Sequence, residues 1–113
     1  MVIVRDALQF EDLRHMAARM FGDLVKVVVD VDRELIAVDA ELHADLEALL
    51  LQDGSQQRSL WGINLYPDLP VDACVEFDSL INLRPSQGNR SRSVEDEAIR
   101  KKIAAVIDKR LVR

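Results

Sequence analysis

Leu24-Val25-Lys26-Val27-Val28-Val29-Asp30 commits the chain to a β-sheet. Valine is branched at Cβ, which limits χ1 and favours the pleated backbone, and a nearly continuous run of such residues suits an interior strand. An interior strand needs a hydrogen-bonded neighbour. Leu35-Ile36-Ala37-Val38 offers one only a few residues later, with Asp30 to Arg33 as the hairpin turn between them.

Before this run, Val2-Ile3-Val4 reads as a short first strand. Leu13, Met16, Ala17 and Met20 then fall at i, i+3, i+4 and i+7, which predicts an amphipathic helix from about Phe10 to Met20 that ends at Gly22. Residues 41–53 fit two periods. Glu41-Leu42-His43-Ala44-Asp45-Leu46-Glu47-Ala48 alternates polar and apolar as a strand would, whereas Leu42, Leu46, Leu49 and Leu50 share a helical face. Ala, Leu and Glu favour the helix, with Asp39 to cap its start and Gly54 to close its end. Leu60 to Tyr66 alternates again and stops at Pro67, and after Pro70 the runs Cys74-Val75-Glu76-Phe77 and Ser79-Leu80-Ile81-Asn82-Leu83 continue the pattern. Together these predict two long antiparallel strands, the second with a bulge at Asp78-Ser79 that keeps its apolar residues in phase. Ile99, Ile103, Val106, Ile107 and Leu111 mark a last helix from about Val94 to Val112.

The order is β-α-β-β-α-β-β-α, an α+β fold in which three helices pack mainly on one face of an antiparallel sheet of about five strands. The other face is then left for water or a partner, which predicts a homodimer through the sheet. A chain of 113 residues suits one domain spanning residues 1–113, and 49% apolar with 31% charged residues places it among folded chains. Cys74 is the single cysteine, so no disulfide can form within the chain and a cytoplasmic location is expected. Neither a signal peptide nor a membrane span is expected, since Arg5 and Asp6 follow Val2-Ile3-Val4 at once and no apolar run is long enough. The net charge of -5 is unevenly spread: residues 84–113 carry nine Lys or Arg against four Asp or Glu. Acidic overall and only 4% aromatic, the chain does not read as a nucleic-acid binder.

The chemistry-bearing residues form three groups. Arg84, Arg90 and Arg92 crowd a polar loop with Gln87, Gly88 and Asn89, the composition of an anion-binding loop. Against this stands Ser93, read as the cap of the last helix in a capping box with Asp96, because Glu95, Asp96 and Glu97 already neutralise the positive helix end and can pair with the arginines. His43 and Glu47 would share a helix face at i, i+4, a spacing compatible with acid/base work or with part of a metal site. Asn64 and Tyr66 on one late strand, with Glu76 and Asp78 on the other, could line a cleft or simply pair across the wet face of a sheet. Trp61 falls in phase with Ile63 and Leu65 and reads as core. No P-loop, dinucleotide fingerprint or serine-nucleophile motif occurs, and neither a cofactor nor a metal is expected.

In Phe21 to Lys26, Glu41 to Asp45, Leu60-Trp61-Gly62-Ile63-Asn64-Leu65-Tyr66-Pro67 and Ile81 to Arg92, nearly the whole chain resembles a family of small bacterial proteins of unknown function. The resemblance implies no activity and carries over no catalytic residue. From the residues themselves, the leading expectation is a binding domain for an anionic small molecule or protein partner through Arg84, Gln87, Asn89, Arg90 and Arg92. The alternatives are a small enzyme, such as a metal-assisted hydrolase, using His43/Glu47 or Glu76/Asp78, and an oligomerisation module.

Overall fold

A computed structural model describes residues 1–113. In chain order the elements are β1 (Val2–Val4), β2 (Leu8–Gln9), α1 (Phe10–Arg19), β3 (Val25–Asp30), β4 (Leu35–Val38), α2 (His43–Gln52), β5 (Leu60–Leu65), β6 (Val75–Glu76), α3 (Glu97–Arg110) and β7 (Leu111–Val112). Short 3-10 turns at Gln57–Ser59, Leu80–Asn82 and Pro85–Gln87 complete it. The main sheet is antiparallel with five strands in the order β1-β4-β3-β5-β6. The α+β class, the three helices and the five-stranded sheet agree with the sequence reading. No helix is long and apolar enough to cross a membrane.

The β-branched run becomes the central strand. Register pairs Val25 with Leu65, Val27 with Ile63 and Val29 with Trp61, and the period of two sends these side chains to one face. There they meet Phe10, Leu13, Met16 and Ala17 of α1 and Ile103, Val106 and Ile107 of α3 in one apolar cluster. The alternate residues Val28, Leu35, Ala37 and Leu60 face the other way and pack against Leu46 and Leu50 of α2. Both faces are therefore covered from within the chain. This corrects the picture of an open sheet face available to a second copy; the continuous apolarity of β3, which serves two layers at once, is the physical reason.

Residues 41–53 do form a helix, though it begins at His43. Asp39 does not cap it: Asp39 has φ 74° and lies near Arg19 (3.6 Å) and the N-terminal amine (4.0 Å), while the N-cap position is Leu42, which offers no side-chain acceptor. Gly54 closes the helix as expected. Its φ of 107° lets the Ser55 N–H reach Leu50 O (2.9 Å) and the Gly54 N–H reach Leu51 O (3.1 Å), the paired bonds of a Schellman turn.

Three further expectations are overturned. Ser79–Leu83 is not a strand but a 3-10 turn, and β6 is only Val75–Glu76, so no bulge at Asp78-Ser79 is needed. Helix α3 starts at Glu97, capped by Asp96 Oδ1 accepting the Ala98 N–H (2.8 Å), and the box from Ser93 does not form because Val94 is drawn fully into the core. The same helix stops at Arg110, where Leu111–Val112 pairs in parallel with Leu8–Gln9, a contact between chain ends that no local pattern announces.

Candidate functional site

The outer edge of β5 explains most of the arginine loop. β3 takes one edge of this strand, and on the other β6 reaches only Asn64 and Leu65, which leaves the groups of Gly62 and Leu60 facing outward. A buried backbone group without a partner is costly, and here side chains stand in for a missing strand. Asn82, fully buried, accepts the Gly62 N–H through Oδ1 (2.8 Å) and donates through Nδ2 to Gly62 O (2.9 Å) and Arg92 O (2.9 Å). The Arg84 guanidinium donates to Leu60 O. Asn89 then ties the loop to itself, with Nδ2 donating to the carbonyls of Asn82 and Ser93 (both 2.7 Å) and Oδ1 accepting the Glu95 N–H (2.9 Å). Gly62 is required by this arrangement, because a Cβ there would lie 2.6 Å from both Cβ and Oγ of Ser79.

Arg84 is thus committed to the fold. It is 9% exposed, its guanidinium lies over Trp61 at 4.9 Å, and Glu47 Oε2 stands 3.6 Å away. Burial pulls its pKa below the usual arginine value while Glu47 pushes it back up. Gln87 donates to Arg58 O (3.3 Å), and the Arg90 backbone N–H is received by Glu95 (2.9 Å). The loop therefore does not gather Arg84, Gln87, Asn89 and Arg90 around a cleft. Nor do His43 and Glu47 act as a pair, since Glu47 turns to Arg84. No group of three or more His, Cys, Asp or Glu side chains is placed to hold a metal ion.

What the fold does bring together lies on the α2 side of the sheet, at its β6 edge. A cleft of about 140 Å³ is lined by Lys26 of β3, Leu42, His43 and Ala44 at the start of α2, Ser79, Leu80 and Ile81 of the turn, and Arg92. Lys26 forms no ion pair; its ammonium lies 5.2 Å from the Phe21 ring centroid. Arg92 holds Asp78 through Nε (2.8 Å) and Nη2 (3.4 Å). Beside the cleft, Asn64 Nδ2 and the Tyr66 hydroxyl both donate to Glu76 Oε1, at 2.8 and 3.2 Å. Burial, followed by the repulsion of the nearby Glu76 carboxylate, raises the Tyr66 pKa and keeps its proton in place.

His43 is 8% exposed and its Nε2 lies 2.8 Å from Ile63 O. A carbonyl only accepts, so Nε2 carries the proton and Nδ1 keeps its lone pair. Burial, aided by Lys26 and Arg92, lowers the His43 pKa against the opposing pull of Ile63 O and Asp78, so the ring is neutral near pH 7. The amide groups at the uncapped start of α2 add the positive end of a helix dipole. Two cations, a helix N-terminus and one open ring nitrogen thus converge on one cleft. Sequence reasoning reached His43 and Arg92 but missed Lys26; the interruption of an otherwise apolar strand by one lysine was the available signal.

No curated protein and no solved structure matches the chain. A family model does, over residues 2–110, and the chain belongs to that family, described as "Protein of unknown function (DUF5674)".

Proposed function

We propose that the cleft between α2 and the Leu80–Asn82 turn binds the carboxylate or phosphate of a small organic anion whose apolar part rests on Leu42 and Leu80. The convergence of Lys26, Arg92 and the uncapped start of α2 carries this reading, because each stabilises negative charge and Lys26 is not already paired. Leu42 and Leu80 at the rim are 55% and 68% exposed, which favours a ligand with an apolar moiety over a bare inorganic ion. Calorimetric titration with inorganic phosphate, acetate, isovalerate and phenyl phosphate tests it. Saturable binding, tighter for isovalerate than for acetate, is expected, and Lys26→Ala with Arg92→Ala should weaken it about tenfold or more while changing stability by less than about 0.5 kcal/mol. Absence of binding to all four anions, or equal affinity in the double variant, overturns the reading. A parallel titration with an acidic peptide separates a protein partner from a free anion.

A second reading, acid/base catalysis in the same cleft, is favoured by the neutral His43 with Nδ1 open. Turnover of carboxylic or phosphate esters that is lost in His43→Gln while binding persists would support it, and a blank screen removes it. A cytoplasmic setting accords with Cys74, a buried free thiol. A homodimer would have to form on a surface other than the sheet faces, with exposed Leu42, Leu80 and Leu83 as the nearest apolar area, and light scattering in the presence and absence of phenyl phosphate measures it.

A further inference from the structure

At the end of β3 remote from Lys26, a second cavity has an all-polar wall. Asp30 closes the strand with no exposed surface, and its Oδ1 accepts the backbone N–H groups of Asp32 (3.0 Å) and Arg33 (2.9 Å), which builds the turn into β4. Its Oδ2 is equally buried and has no hydrogen-bond partner. A carboxylate oxygen in that position calls for a donor, because burial without one forfeits hydration and gives nothing in return. This residue lines a cavity of about 390 Å³ to which no hydrophobic side chain contributes.

The other charged groups of the wall are unequally engaged. Asp32 receives the Ser59 hydroxyl, and Arg33 is held by Ser55 Oγ (2.7 Å) and Asp53 Oδ2 (2.8 Å). The exposed Arg58 side chain forms no hydrogen bond or ion pair within the chain. One unpartnered acceptor therefore lies buried in the cavity wall and one cation is open beside it. A bare metal ion does not fit this set, since two arginines oppose it and no three acidic or imidazole groups converge. An apolar ligand finds nothing to rest on.

We propose that this cavity binds a small zwitterion, its ammonium donating to Asp30 Oδ2 and its carboxylate or phosphate facing Arg58. The site is separate from the cleft at Lys26 and does not depend on it. Backbone amide shifts followed by NMR during titration with β-alanine, 4-aminobutyrate and 2-aminoethyl phosphate test it, with methylammonium and acetate as single-charge controls. At least one zwitterion should give saturable shifts at residues 30–33 and 54–59, with affinity about tenfold above either control; the carboxylate and phosphate arms identify the anionic group. Asp30→Asn retains Oδ1 for the turn and should weaken binding about tenfold or more, as should Arg58→Ala on the exposed rim. Absence of saturation with all three zwitterions, controls that bind equally well, or unchanged affinity in folded Asp30→Asn overturns the proposal. Should Asp30→Asn fail to fold, unchanged affinity in Arg58→Ala overturns it instead.

Discussion

Arg84 and Arg92 belong to one loop, and the fold gives them opposite roles. The Arg84 side chain is 9% exposed and spends its guanidinium on a backbone carbonyl, a carboxylate and an indole ring, while that of Arg92 is 55% exposed and leans into a cleft beside Asp78. The same contrast separates their surroundings. Around Arg84, the side-chain amides of Asn82 and Asn89 complete the edge of β5 and tie the loop to itself, while Arg84 Nε and Nη1 and Glu47 Oε2 stay buried without a hydrogen bond, held by the charge contact between the two side chains. Around Arg92, Lys26 and His43 keep an unpaired charge and an open ring nitrogen, as a binding site requires. Basic residues crowded in a loop thus indicate a ligand only where the fold leaves them something to bind.

The sharpest way to break this division is Asn82→Ala. It strips partners from Gly62 N–H, Gly62 O and Arg92 O in the buried edge, and should cost about 3 to 5 kcal/mol in urea unfolding. A loss below about 1 kcal/mol would show that the edge is not held this way. Next in size, Arg84→Met should cost about 3 kcal/mol by leaving Glu47 without its counter-charge and Leu60 O without its donor, and adding Glu47→Leu should recover the part due to the unpaired charge but not that due to Leu60 O. Anion affinity should survive in the double variant; its disappearance would assign Arg84 to the site and reverse the comparison. Gly62→Ala forces Ser79 away and should cost about 1 to 3 kcal/mol, read by the same unfolding measurement.

The smallest effect belongs to the cleft. The folded-state pKa of His43 lies below the ordinary value, so the unfolded chain binds more protons between the two. Stability linked to His43 is fully present above about pH 6.5 and is lost as pH falls through the folded-state pKa. His43→Gln should flatten that part of the profile. A bound anion reverses the local balance by favouring the imidazolium, so the affinity for isovalerate should rise as pH falls across the same range, and this dependence should vanish in His43→Gln. A pH-independent affinity would detach His43 from the site.

The legible parts of this protein are those set by short-range rules. β-branched crowding at Val25–Asp30, the apolar spacing of Leu13, Met16 and Ala17, the helix formers after His43 and the left-handed position at Gly54 all depend on neighbours a few residues away, and all are legible in the sequence. The sequence singles out His43, Arg92, Asn64, Tyr66, Glu76 and Asp78, yet nothing local shows that they gather at or beside one cleft while Arg84, Gln87, Asn89 and Glu47 lie apart from it. That was decided by tertiary structure. Ser79–Leu83 has the alternation of a strand, but the Asn82 side chain already satisfies the β5 groups that a strand would have used, so the backbone turns instead. Whether an arginine keeps its water or a lysine its partner depends on which distant segments close over it, and sequence periodicity carries no record of that closure.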